Sequence, residues 1–483
     1  MAKGATRRTV VASTVIAAMS LALGGAVFAE SPKPPNIVFI LADDLGYADI
    51  GSYGRPGLHT PNIDRIGTDG VRLTQAYANS AVCTASRTAL ITGRYQYRLR
   101  VGLEEPLLRS LEIGLPPDHP TLPSLLKKAG YGTTLVGKWH LGSFPKFGPL
   151  QSGYDHFYGF RGGAVDYFSH QGGHTDDLWD DDIAIHQPGY LTDLLGQRAV
   201  EVIGGYAKAR RPFLLSLHFN APHWPWEAPG DQAESDRLAN GSLLDFDGGT
   251  QRTYQWMIEA MDVQVGRVLQ ALDANGIAGD TIVIFTSDNG GERFSDTWPF
   301  SGKKTELLEG GLRVPAVIRW PGKIPKRRTS EQVAISMDWV PTLLAATRAA
   351  ADPAYPFDGM NLLPILTGEA EVTPRKLFWR YKANAQRALR EGDLKVLKIQ
   401  NNSFLFNVLD DPQERANLKA RHPDVYKRMT ADWDVWEMTM LPEVEDSNTA
   451  AIDASQQADH IGATKVSTKP DDNAAWPPAE TKP

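Results

Sequence analysis

Cysteine is almost absent: Cys83 is the single one in 483 residues. No intramolecular disulfide can form, so the fold must rest on its core, and an unpaired thiol in an exported chain raises the question of its purpose. A cationic excess is also missing. The formal charge is -7 and no basic stripe stands out, which argues against a general nucleic-acid binder. An anionic substrate would have to be drawn in by a local cationic pocket, because the field of the whole molecule is mildly repulsive. Beyond the first thirty residues no segment is long and apolar enough to span a bilayer. Internal repeats are absent too, which excludes solenoids and propellers. What remains is 42% hydrophobic and 22% charged, the balance of a soluble globular chain. Its length predicts one large domain and a smaller one.

The first residues carry a targeting pattern. Lys3, Arg7 and Arg8 form a basic start, Val10 to Val27 is largely apolar, and Val27-Phe28-Ala29 offers a small-residue cleavage site. This predicts a signal peptide over residues 1–29 and a periplasmic or secreted protein. Paired Arg7-Arg8 is compatible with twin-arginine export. An uncleaved anchor is the alternative; the small residues of the apolar stretch and the proline-rich Ser31 to Pro35 favour cleavage.

Strand and helix patterns then alternate. Asn36 to Ala42 is a continuous apolar, β-branched run that reads as a buried parallel strand. Thr60-Pro61 and Thr121 each open a helix. Thr133 to Val136, Pro212 to Leu217 and Thr281 to Phe285 read as further strands, separated by helices over Leu194 to Arg210 and Gln251 to Leu272. The expected architecture is α/β: a large, mostly parallel central sheet sandwiched by helices, over residues 30–374. From 375 to 444 short strands at hairpin spacing (Leu377 to Tyr381, Gln386 to Leu389, Leu394 to Leu397, Phe404 to Asn407) precede a helix over Pro423 to Met438. They predict a smaller C-terminal domain of antiparallel sheet plus helix. Residues 445–483, poor in large apolar side chains, read as a disordered tail.

Two of these strands run into acids, Asp43-Asp44 and Asp288-Asn289. Ligands of open parallel sheets bind beyond the carboxyl ends of the strands, so both pairs can converge on one point. Three carboxylates and an amide form an all-oxygen, negative site suited to Ca²⁺; helix capping is the alternative for either pair alone. In Cys83-Thr84-Ala85-Ser86-Arg87, small residues precede an apolar run. That places Cys83 at a helix N-terminus, where the dipole favours anions and acidifies a thiol. A small buried core residue is the competing reading.

This run, with Thr92-Gly93-Arg94 downstream, resembles the signature of the formylglycine-dependent (type I, arylsulfatase-like) sulfatases of the alkaline phosphatase superfamily, usually written Cys-x-Pro-Ser-Arg. Ala85 replaces the commoner proline, a variant the family also shows, which bears on the maturation enzyme. Gly137-Lys138-Trp139-His140-Leu141-Gly142, Asn220-Ala221-Pro222-His223, Ser287 to Gly290, Glu309-Gly310-Gly311 and the late run Leu405 to Glu414 match in the same order. The resemblance implies that residue 83 is oxidised to formylglycine by a maturation enzyme and hydrated. One hydroxyl, activated by Ca²⁺, then attacks the sulfur of a sulfate ester; the alcohol leaves, and the second hydroxyl collapses to the aldehyde and expels sulfate. By the same resemblance Asp43, Asp44, Asp288, Asn289 and residue 83 hold Ca²⁺, Arg87 and His140 hold the hydrated aldehyde, and Lys138, His223 and Lys304 bind sulfate oxygens. His223 or Lys304 would protonate the leaving oxygen; Lys304 is favoured over Lys303 by its spacing to Glu309.

Trp224 and Trp226 could stack on a sugar or aryl ring near the mouth. Asp155, His156, Tyr167 and His170 either line that mouth or pack. His174, Asp176, Asp177 and Asp180 to Asp182 lack ligand spacing and read as a solvated loop. The expected substrate is a sulfated small molecule or glycan, with no nucleic acid. The rivals are a formylglycine-dependent phosphonate or phosphodiester hydrolase and a non-catalytic protein that binds sulfated glycans.

Overall fold

The computed structural model describes residues 33–55, 57–239, 243 and 248–451, together with Met1, Ala2 and Gly4. The expected signal peptide otherwise lies outside the described residues, as does the chain beyond 451. The strand Asn36–Ala42 is buried along its whole length because it has parallel neighbours on both sides, Phe213–His218 and Thr281–Ser287. That is why its sequence is continuously apolar rather than alternating. Gly132–Lys138 and His156–Phe160 extend the parallel run on one side. On the other, Ala316–Arg319 pairs antiparallel with Thr281–Ser287 and carries Val71–Leu73 and Arg328–Ser330 to the edge. With Trp179–Asp180 and Ile183–Ala184 at the far edge, the sheet has ten strands.

The strand expected to stop at Val136 continues through Gly137 to Lys138. Gly137 looks like a breaker, but it has φ +112° and a Cβ there would lie 1.8 Å from His218 O. Glycine is what lets the two backbones approach so closely. Lys138 is thereby delivered to the carboxyl edge of the sheet.

The helices Leu191–Ala209 and Gln251–Ala274 bury apolar faces against one side of the sheet. Cys83–Thr92, Leu122–Lys128 and Trp339–Thr347 cover the other. The C-terminal strands Lys376–Tyr381, Gln386–Glu391, Leu394–Ile399 and Asn402–Asn407 form an antiparallel meander, with helix Pro423–Glu437 packed on it. A third core is shared between this sheet and the back of the Cys83–Thr92 helix, joining Ala85 and Ala89 to Trp379 and Leu389.

The tail expected from Glu445 onward is ordered at its start. Lys382 Nζ donates to the carbonyls of Val444, Glu445 and Ser447, and Asn448 to Ala450 bond along Glu105. These ties use backbone and one ammonium, so a composition that lacks apolar residues does not reveal them. Among the described residues no helix is long and apolar enough to cross a membrane.

Candidate active site

Four neighbouring strands deliver polar groups to the carboxyl edge of the sheet, where open α/β folds bind ligands. Asn36–Ala42 leads into Asp43 and Asp44. Asp44 has φ +63°, a left-handed backbone that aspartate tolerates better than most residues, and its N–H donates to Asp288 Oδ1 at 3.3 Å. Thr281–Ser287 leads into Asp288 and Asn289, whose Nδ2 donates to Asp44 Oδ1 at 2.7 Å. Gly132–Lys138 ends on Lys138, whose Nζ lies 2.5 Å from Asp43 Oδ2. Phe213–His218 runs on to Asn220 and His223. Cys83 is the first residue of its helix, as the sequence suggests. One turn later, Arg87 donates from Nε to Asp288 Oδ2 at 2.9 Å and sits 3.6 Å from Asp43 Oδ1. All ten residues named for the site from the sequence are buried.

Lys304 closes the group from a loop beyond Asp288. Its Nζ donates to Asp44 Oδ2 at 2.6 Å and to Glu292 Oε2 at 3.3 Å, and lies 3.2 Å from His223 Nε2. It is therefore Lys304 that reaches Asp44. The sequence reading missed Glu292, three residues past Asn289, because a lone glutamate in a loop reads as solvated. Burial pushes the Glu292 carboxyl up to about 8, against the pull of Lys304. Burial also pushes at Asp44, but Lys304 and Lys138 hold it well below the usual carboxylate range. Asp288 is raised to about 6 by burial and by Asp43, with Arg87 opposing. Burial alone would strip Lys304 of its proton, yet Asp44 and Glu292 hold its pKa well above the usual value, so it is an ammonium.

Both site histidines are neutral. Burial, then Lys304, depresses His223, and burial, then Lys138, depresses His140. His223 Nδ1 donates to Trp224 O at 2.6 Å, which leaves Nε2 as a lone pair facing Lys304. His140 Nε2 donates to Leu107 O at 2.9 Å, which leaves a buried Nδ1 without a partner. The Cys83 thiol does not behave as its helix position suggests. Burial pushes its pKa far up, and Asp43 and Asp288 add to that, outweighing Lys138 and Lys304. An unmodified thiol here would stay protonated and unreactive.

The donor set fits a divalent cation. Ligand atoms of Asp43, Asp44, Cys83 and His223 all lie within 4.8 Å of one another, the only such group among the described residues. Asp43 Oδ1 and Asn289 Oδ1 are buried and accept no hydrogen bond, which is costly unless something else binds them. Oxygen donors of this kind suit a hard ion such as Ca²⁺.

Cys83, His140, His223 and Lys304 line a cavity of about 680 Å³. Trp224 lines it too, its ring 4.5 Å from that of His223 and tilted by 41°. Trp226 does not reach the mouth and packs edge-on against Phe294. Tyr167 is buried, its hydroxyl donating toward Asn220 O and His223 O, so it props the His223 turn. Asp155 and His156 lie at the other end of the sheet, where Asp155 pairs with Lys127 and Arg211. His170 is tied to Gly189 O. The acidic loop is only partly solvated: Asp177 is buried and accepts from the N–H groups of Arg161 and Gly162, while Asp180 pairs with Arg198. A second cavity of about 440 Å³, bounded by Tyr158, Arg198 and Tyr206, holds none of the site residues.

Residues 35–349 match the family described as Sulfatase, and residues 300–435 match the one described as N-sulphoglucosamine sulphohydrolase, C-terminal. N-acetylgalactosamine-6-sulfatase of Canis lupus familiaris is 32% identical over 401 residues, covering 78% of this chain and 74% of that one. Arylsulfatase A of Bos taurus is 32% identical over 489 residues, covering 92% and 90%. The solved structure of Ps i-CgsB in complex with k-i-k-neocarrahexaose superposes with a TM-score of 0.77 at 28% identity, over 89% of this chain and 98% of that one. Strand-end acids, buried cations and a helix-borne Cys83 thus sit on a chain that belongs to the sulfatase family, a family of sulfuric ester hydrolases.

Proposed function

We propose that this protein is exported and hydrolyses sulfate monoesters of carbohydrates with a formylglycine made from Cys83 and a bound Ca²⁺. The observation that carries the reading is the convergence of Cys83 with Asp43, Asp44 and His223 within 4.8 Å, below a cavity of about 680 Å³. The carbohydrate part is supported by the relatives, one named for a sulfated amino sugar and one solved with a carrageenan oligosaccharide.

Sulfur in a sulfate ester is shielded by its oxygens, so the site must draw charge onto those oxygens and position a nucleophile and an acid. As an aldehyde hydrate, residue 83 would supply two geminal hydroxyls, one to attack sulfur and one whose collapse to the aldehyde releases sulfate. A Ca²⁺ held by Asp43, Asp44, Asp288 and Asn289 would supply positive charge at the sulfate oxygens and at residue 83. Arg87 and His140 hold the hydrate in place, His140 through its free Nδ1. Lys138 and Lys304 bring cationic donors to the sulfate. Lys304, an ammonium held 3.2 Å from the lone pair of His223 Nε2, can give its proton directly to the departing alcohol oxygen.

Purification from a host that matures such enzymes, followed by weighing of the tryptic peptide Leu73 to Arg87, tests the nucleophile. The aldehyde mass is expected, together with sulfate release that Cys83→Ala abolishes. An intact thiol in that host would overturn the mechanism, and faster turnover of an aryl phosphonate monoester than of the aryl sulfate would overturn the substrate class.

A further inference from the structure

The ordered start of the tail leads back to the active site. Lys382 Nζ gathers Val444 O, Glu445 O and Ser447 O at 2.9, 2.8 and 2.7 Å, folding the chain over the end of the C-terminal sheet. The next residues run parallel to Glu104 and Glu105. Glu105 N donates to Asn448 O at 3.0 Å, Ala450 N donates to Glu105 O at 2.7 Å, Asn448 N donates to Glu104 Oε2 at 3.0 Å, and the Tyr381 hydroxyl donates to Ala450 O at 2.7 Å. Two residues beyond Glu105 comes Leu107. Its N–H donates to Thr84 Oγ1, beside Cys83, and its carbonyl takes the His140 ring proton. The segment is therefore stitched to the same short stretch that holds the catalytic floor, and Asn448 and Ala450 line the cavity with Cys83, His223 and Lys304.

Asn448 is the one hydrogen-bonding side chain this segment adds to the cavity. Its Nδ2 donates to Pro106 O at 2.6 Å, which fixes the orientation of the amide. Its Oδ1 receives no donor from the described residues. The lining sets the apolar Pro106, Leu107, Ala450 and Trp224 beside the polar Arg109, His140 and His174. A fixed acceptor set among apolar surface is how pockets discriminate a hydroxylated ring from a plain one.

We infer that residues 444–450 are a strap that builds one wall of the substrate cavity, and that Asn448 Oδ1 accepts a hydroxyl of the sulfated sugar. Asn448 is a specificity residue, and Lys382 and Glu105 are the clasps that position it. The inference deepens the sulfated-carbohydrate reading and rests on it.

The test compares kcat and KM for 4-nitrophenyl sulfate, which has no leaving-group hydroxyl, with those for a panel of sulfated galactose, N-acetylgalactosamine and glucosamine monosaccharides and carrageenan oligosaccharides. Enzyme, Asn448→Ala and Lys382→Met are assayed as full chains. Asn448→Ala is expected to lower kcat/KM for the best sugar about tenfold more than for the aryl ester, mostly through KM. Lys382→Met, which frees the strap without touching the cavity, is expected to shift the same ratio in the same direction. A fold defect would lower both substrates together and leave the ratio where it was. An unchanged ratio in Asn448→Ala overturns the role of Asn448, and an unchanged ratio in both variants overturns the strap. Wild-type turnover of the aryl ester with every sugar inert also overturns it. No sulfate release from any substrate by the matured enzyme would instead sink the proposed function itself.

Discussion

Two buried charge clusters, one built on Lys304 and the other on the nearby Glu309, differ in what they leave open. In one, Lys395 is fully buried with its Nζ 2.9 Å from both Glu309 Oε1 and Glu414 Oε1. The Tyr77 hydroxyl meets Glu309 Oε2 and Glu309 N meets Glu414 Oε2, each at 2.6 Å. Three of the four carboxylate oxygens there accept a protein hydrogen bond, and the fourth, Glu414 Oε1, lies against the Lys395 ammonium. Burial pushes at Glu309, yet Lys395, Arg313 and Arg390 hold it down at about 2; Glu414 is raised to about 7 by burial and by Glu309. In the other cluster Asp43, Asp44 and Asp288 face Arg87, Lys138 and Lys304 with similar spacing. There Asp43 Oδ1 and Asn289 Oδ1 accept nothing, and the group floors a cavity. The same residue types make a clamp when they are closed and balanced. They make a working site when acceptors are left over beside a space a ligand can enter.

The largest break in that comparison is at the open cluster. Cys83→Ala should lower kcat/KM for sulfate release on the order of 10⁴-fold or more, the scale of losing a covalent nucleophile. Melting temperature should barely change, because the removed thiol makes no hydrogen bond. Lys304→Ala should cost about 10²- to 10³-fold in kcat, the scale of one charge-stabilising group. At the closed cluster the loss should appear in stability instead. Lys395→Met strands Glu309 without its nearest cation, and breaking a buried pair this way costs about 3–5 kcal/mol, read as a lower denaturation midpoint. Its kcat, measured well below melting, should fall far less than that of Lys304→Ala. If Lys395→Met lost activity while keeping its midpoint, the distinction between clamp and site would collapse.

The sheet was legible because its central strands are buried on both faces and so read as apolar runs, as at Asn36 to Ala42. The outlying strands Val71–Leu73 and Arg328–Ser330 are short and carry no periodicity, which hides them. The acids at Asp43 and Asp288 could be found because a strand end fixes where its next residue points. Glu292 could not, since its burial depends on Lys304, which arrives from another part of the loop. The same reasoning left Asp155 open between the mouth and packing: it directly precedes the His156–Phe160 strand, and so lies at the opposite end of the sheet from Asp43. The acidity expected of Cys83 failed because helix position is a local property, whereas the desolvation that overrides it belongs to the assembled site. The strap was invisible for a related reason. Its order comes from Lys382 and Glu105, more than sixty and three hundred residues away in sequence.

Glu105 sharpens the comparison because this buried carboxyl forms no ion pair among the described residues. Lys382 N and Thr449 Oγ1 both donate to its Oε2, at 2.8 and 3.1 Å, but burial outweighs them and raises its pKa from 4.5 to about 8. The folded chain therefore holds a proton that the unfolded chain releases above pH 4.5. The resulting stabilisation is fully present below that pH, falls by about 1.4 kcal/mol per unit as pH rises toward 8, and is gone above it. Glu105→Gln keeps an acceptor for both donors and removes the titration. Between pH 5 and 8.5 its denaturation midpoint should decline less than that of the wild type. Glu309, which Lys395, Arg313 and Arg390 keep ionised, should show the opposite sense: its contribution is present above pH 4.5 and lost as pH falls through about 2. Parallel wild-type and Glu105→Gln curves would mean that Glu105 is already ionised in the fold. A cation would then have to reach it, and the strap beside it would be a second clamp rather than a neutral seam.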